Sequence, residues 1–258
     1  MVVCISNFIR FGEAQFVERM DVGRATEVVS DKALLIEALK GLKAGALLAL
    51  FAVVVPTIVV VPTTLSGTIP VEGAVPGAIL VFTVFEIAAI ILWLRATGKL
   101  REFDSQRLGI GRSGLMLHLI GLVIIVVDLL FLFVLAAIPY GAESTKLTPI
   151  ILVLISALLA GAVLIVIGIW RFGTMLIRLS EIEGIEDGFK VAGILYMVAW
   201  LLKIIKSISI NTSENMIGDT ALFVALILIY TYSKRSIEKL QATSQPSSPN
   251  PESVVRST

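Results

Sequence analysis

Five ionisable side chains interrupt runs that are otherwise apolar: Glu86 in PGAILVFTVFEIAAIILWL, His118 and Asp128 in GLMLHLIGLVIIVVDLLFLFVLAAI, and Lys203 and Lys206 in VAGILYMVAWLLKIIKSISI. A charge at the centre of a bilayer costs at least about 2.5 kcal/mol, so such groups are normally partnered or functional. Counted along ideal helices, Glu86 and Asp128 each lie roughly 15 Å below one interface, and Lys203 lies roughly 10 Å below it with a stem long enough to reach the acids. Two acids and one base can therefore share a layer. A lysine between two carboxylates leaves one acid in surplus, able to carry a proton or hold a cation. His118, about three turns from Asp128 toward the opposite interface, would extend such a relay, although the helical repeat places it off the Asp128 stripe. The competing expectation is structural: Lys203 and Lys206 reach the interface, the acids stay neutral and hydrogen-bonded, and His118 packs.

These groups carry such meaning only if the runs around them cross a membrane. The chain has 258 residues, 57% hydrophobic and 16% charged, with a mean hydropathy of +0.95, far from the usage of soluble domains. A helix crosses the roughly 30 Å hydrocarbon core with about 20 mostly apolar residues, because all its backbone polar groups pair internally. Six runs approach that requirement: Ala44–Val61, Pro76–Leu94, Gly114–Ile138, Pro149–Trp170, Val191–Ile210 and Met216–Tyr232. The fifth contains Lys203 and Lys206 and the sixth is short and opens beside Asp219, so five spans stay open as an alternative. The expected fold class is all-α, a polytopic transmembrane helical bundle. Eighteen of the 21 Lys and Arg residues fall before Ala44, in Arg95–Arg112, in Arg171–Lys190 or after Tyr232, all on one side of a six-span chain. That asymmetry predicts cytoplasmic termini on both ends.

The remaining stretches narrow the function classes. Residues 1–30 are polar and mixed and lack the apolar core of a signal peptide. Ser30 or Asp31 reads as the N-cap of DKALLIEALKGLK, whose stripe through Leu35, Ala38, Leu39 and Leu42 predicts an amphipathic interfacial helix over residues 31–43, with a helix continuous with the first span as the alternative. Residues 44–232 form the bundle, and the cytoplasmic tail 233–258 turns rich in Ser and Pro, with disorder expected after about residue 242. EIEGIEDG, Glu181–Gly188, gathers four acids but fits no calcium-loop motif, and Asp187 reads as a cap for the fifth span. Asn211-Thr212-Ser213 is a glycosylation triplet on the outer side, and Pro56 is a candidate break in the first span. One cysteine, Cys4, and one histidine leave no disulfide framework and no basis for a metal site or other cofactor. A net charge of +1 gives no reason to expect nucleic acid; the expected partners are the lipid bilayer and other membrane subunits. No phosphate-cradling glycine loop, nucleophile–base set or HExxH helix is present, so catalysis has no recognisable machinery.

Internal repetition organises the spans. GLKAGALLAL (Gly41–Leu50), GRSGLMLHLI (Gly111–Ile120) and GFKVAGILYM (Gly188–Met197) each set a glycine, a basic residue and a second glycine at the inner mouth of an odd-numbered span. The even-numbered spans leave through Trp or Tyr into a basic residue, in ILWLRATGKL, GIWRFGTMLI and LIYTYSKRSI. Three helical hairpins of like orientation are inferred. Gly45, Gly114, Gly161, Gly168 and Gly193 are the expected points of close helix approach, with Ala157 and Gly161 forming a small-xxx-small pair on the fourth span.

On these residues the chain resembles an uncharacterised family of archaeal multi-spanning membrane proteins, domain of unknown function 973, over about Ala38 to Leu240. The likeness rests on the Gly-basic-Gly mouths, the LHLIGLVII and LIVIGIW runs and the hairpin rhythm. It implies an archaeal plasma-membrane protein with no assigned activity. Three function classes stay open: a structural or accessory subunit packing against membrane partners, a small transporter or ion- or proton-conducting protein using Glu86, Asp128, Lys203 and His118, and a membrane enzyme acting on lipid. Packing requires the acids sealed; transport requires a cavity that reaches them.

Overall fold

The computed structural model describes residues 31–55, 71–136, 144–208 and 215–243, and the tail after 243, Pro56 and the Asn211 triplet lie outside them. Those residues form six helices: α1 Asp31–Val55, α2 Val71–Phe103, α3 Ser105–Ala136, α4 Ser144–Leu179, α5 Gly188–Ile208 and α6 Asn215–Ala242. All six are long and apolar enough to cross a membrane, the build of a multi-pass integral membrane protein. No strand occurs among the described residues. Helix is the form expected, since a spanning segment finds no water for unpaired backbone groups.

The helices outrun the apolar stretches at the basic end. α2 continues to Phe103, α3 begins at Ser105, and α4 runs on to Leu179. Hydropathy marks only the membrane-embedded part of a helix; the amphipathic extensions are held by packing, with Leu100, Leu108, Met175, Leu176 and Leu179 fully buried. One residue, Asp104, joins α2 to α3. Its amide still donates to Leu100 O at 2.9 Å while its carboxylate accepts from the amides of Gln106 (3.1 Å) and Arg107 (2.9 Å), capping α3. α4 and α5 are joined by Ser180–Asp187, where Gly184 takes φ +86° and Ile185 plugs back into the bundle. Ser236 on α6 ties that turn down by accepting from the Glu186 amide at 3.0 Å. Asp187 immediately precedes α5, and its carbonyl accepts from the Lys190 amide at 3.0 Å.

Residues 31–43, expected as an interfacial helix, are instead the opening turns of the continuous helix α1, and their stripe of Leu35, Ala38, Leu39 and Leu42 is buried in the bundle. Lys32 donates to Thr243 at 3.3 Å, so the start of α1 and the end of α6 meet at the basic end.

Each odd helix runs antiparallel to the helix after it, and glycines mark the contact. A Cβ on Gly41 would stand 2.8 Å from Ala96 Cβ, and one on Gly45 would strike the Trp93 ring. In the second pair the contact is backbone on backbone: a Cβ on Gly114 would lie 2.8 Å from Gly168 O, and one on Gly168 would lie 2.6 Å from Gly114 O and 2.7 Å from the His118 amide nitrogen. Gly121 and Gly161 repeat this further along, and in the third pair Gly188 lies against the Tyr232 ring. Gly193 meets Gly173 across α4 and α5, while Ala157 is half-buried. Lipid tails are as apolar as leucine, so close approach of this kind, rather than hydrophobic burial, is what draws spans together. Packing is uneven along the axis. The fully buried residues, among them Leu39, Leu42, Leu115, Phe172 and Phe189, crowd the basic end, whereas Leu130, Val134, Leu152 and Ile205 at the far end are exposed.

Gly168→Ala is expected to destabilise the protein by about 1–3 kcal/mol, the usual cost of overpacking a tight contact. Gly98→Ala meets only the Arg112 side chain, at 3.8 Å, and should be neutral or stabilising by up to about 1 kcal/mol through helix propensity. Thermal unfolding of the two variants in the same detergent checks the contrast.

Candidate functional site

The middle of the bundle holds a small polar centre. Glu86 on α2 and His118 on α3 face each other, Oε1 to Nε2 3.4 Å apart, with residual exposures of only 8% and 2%. The contact is close enough for ion pairing but bent away from hydrogen-bond geometry, and neither imidazole nitrogen has a hydrogen-bond partner among the described residues. The indole nitrogen of Trp200 is buried near the Tyr196 hydroxyl, and the Trp200 ring meets the His118 ring edge-on at 5.6 Å. Three buried nitrogens and a carboxyl group therefore converge on one spot. Buried polar groups without partners are costly, and each calls for a reason.

That spot is a cavity of about 30 Å³, lined by Glu86, His118, Tyr196 and Trp200 and closed by Ala52 of α1 and Leu222 of α6. A water needs about 10–15 Å³ of space of this kind, so the cavity has room for at least one water held by its polar neighbours. Large side chains flank the cavity toward both ends of the bundle. Toward the basic end lie Trp93, Phe172 and Tyr196 in mutual ring contact, with centroids 4.9 to 6.1 Å apart. Trp93 is fixed by donating its indole N–H to Leu42 O at 3.1 Å, a position open to it because Gly45 leaves room for the ring. Toward the far end, Lys203 Nζ sits 5.5 Å from the ring centre of Phe82 and 5.4 Å from that of Trp200, two residues that line the cavity. The same ammonium pairs with Asp219 of α6 at 2.8 Å.

The expected residues are thus divided among three places. Glu86 and His118 meet. Lys203, expected between the acids, takes Asp219 as its ion-pair partner, because α5 and α6 bring these residues together where Gly218 packs against Lys203. Asp128, also only 8% exposed, lines a separate groove between the far halves of α3 and α4 and shares no lining residue with the central cavity. His118 and Asp128 lie ten residues apart on the same helix, about 15 Å along its axis, and the rotation of α3, fixed where Gly168 touches the His118 backbone, turns His118 toward Glu86. Tyr196 and Trp200 complete the lining and carry no charge to draw notice in the sequence. Their spacing of four residues, which puts both on one helical face, is the signal that marks them. Among the described residues no three His, Cys, Asp or Glu side chains are grouped to hold a metal ion.

Comparison with protein-family models, curated proteins and solved structures gives no match.

The Lys203–Asp219 pair is half-exposed, so its loss should shift an open–closed balance modestly. In a Cys4→Ser background with a cysteine at Ala52 on the cavity wall, Asp219→Asn is expected to raise labelling by a small water-soluble thiosulfonate up to about fivefold. An unchanged labelling rate would show that the pair does not close the cavity.

Proposed function

We propose that this integral membrane protein binds a proton at the Glu86–His118 centre and passes it across the bilayer. The observation that carries the reading is the carboxyl–imidazole pair, 3.4 Å apart and buried, with both imidazole nitrogens unsatisfied beside a cavity with room for at least one water. Imidazole takes a proton on one nitrogen and releases one from the other, and a carboxylate alongside either holds the ring or accepts that proton. A water in the cavity would bridge the bent contact. The small volume favours a proton over a larger solute. The aromatic layer lies toward the basic end and the Lys203 ammonium toward the far end, and passage of the proton would need these groups to move in turn.

A second reading, an accessory subunit that packs against other membrane proteins, is favoured by one observation: Asp128 lies in a groove at the bundle surface, away from the centre. The crowding of Lys and Arg at one end supports a cytoplasmic placement of that end, and with it both termini. Kinship with the archaeal family and residence in the plasma membrane rest on the quoted sequence runs.

The test is proton flux into vesicles containing the purified protein and an entrapped pH-sensitive dye, driven by a potassium diffusion potential. Wild type should acidify the lumen well above empty vesicles, with Glu86→Gln and His118→Phe lowering the rate at least about tenfold, as loss of an acid–base group does. Variants that conduct like wild type, or wild type that conducts like empty vesicles, would refute the reading.

A further inference from the structure

The α3–α4 pair is zipped by glycines over its basic-end half, the farthest of them Gly121 with Gly161, which also meets Ile125. Past that point the helices leave an open groove of about 410 Å³, lined by Val127, Asp128, Phe131, Ile150, Val153 and Leu154. All are apolar except Asp128, which is 8% exposed and whose Oδ2 has no hydrogen-bond partner among the described residues. We propose that this groove receives a transmembrane helix of a partner protein carrying one lysine or arginine at the depth of Asp128.

An apolar face by itself calls for nothing but lipid. The acid changes that, because acyl chains offer a carboxyl group neither donor nor counter-charge. A basic side chain fits both features, since its methylene stem lies along the apolar walls while its head reaches the carboxylate. The surroundings favour a helix over a lipid head group. Val123, Val127, Leu130 and Val134 are all exposed and spaced four, three and four residues apart, a continuous stripe on α3 running past the groove. At 1.5 Å per residue the stripe is roughly 16 Å long, a seam suited to a partner helix lying nearly parallel. The proposal is independent of proton transfer at Glu86 and His118.

The experiment measures energy transfer in phosphatidylcholine vesicles between the labelled full chain and designed Leu/Ala peptides of about 24 residues, long enough to span. Three peptides differ at one position, level with Asp128: Lys, Leu or Glu. The Lys peptide should bind wild type about tenfold more tightly than the Leu peptide, and Asp128→Asn, which keeps shape and drops charge, should equalise them. Asp128→Lys should reverse the order in favour of the Glu peptide. Should the Lys variant fail to fold, as judged by circular dichroism and elution in detergent, the Asn comparison decides alone. Equal binding of all three peptides by wild type overturns the proposal, as does a Lys preference that survives Asp128→Asn. Loss of the preference when phosphatidylethanolamine is added would assign the groove to a lipid amine and overturn it too.

Discussion

The structure depends on backbone touching backbone. In lipid the hydrophobic effect does not gather helices, and what remains is dispersion between surfaces that come close enough. Gly114 against Gly168, Gly121 against Gly161 and Gly173 against Gly193 provide that closeness, the first two closing α3 on α4 and the third closing α4 on α5. They also set the polar centre. The His118 backbone rests on Gly168, and the Trp93 ring rests on Gly45, so both the imidazole and the indole that lines the cavity are placed by the absence of a side chain elsewhere. Small residues here are the positioning elements of larger ones.

From the same constraint comes the axial asymmetry. Fully buried leucines, Phe172 and Phe189 fill the basic end, while the far ends of α3 and α4 stand exposed. A tight end anchors and a loose end can move, which is the distribution expected of a bundle that opens on one side more readily than the other. The far-end group at Lys203 is electrostatic and partly exposed, whereas the basic-end group is three rings in contact, Trp93 stacked on Phe172 and Tyr196 edge-on to both. The two groups therefore respond to different influences, the first to salt and the second to packing.

Much of the fold is legible in the residues themselves. Twenty-residue apolar runs and the segregation of Lys and Arg define six spans and their alternation, because the bilayer imposes one length and one secondary structure. The close-approach glycines at the helix mouths are legible for a similar reason, since few other roles suit a glycine within a span. The partners of the ionisable groups are not. Depth follows from counting, and counting does place Glu86, Asp128 and Lys203 within a few turns of one another, but rotation about each helix axis is set by neighbours. The Trp200 edge that meets His118 and the Asp219 carboxylate that claims Lys203 belong to other helices, chosen by tertiary packing. Residues 31–43 leave two readings open, an interfacial helix or one continuous with the first span, because an amphipathic stripe looks alike whether it rests on lipid or on protein.

The corner at Asp104 leaves the chain no slack. With one residue between α2 and α3, the phase of the second helix is geared to that of the first, so that a single extra residue there would swing everything downstream by about 100° and carry the imidazole to another flank. Length at this joint is thus under tighter constraint than composition, a tolerance that runs opposite to that of ordinary surface turns.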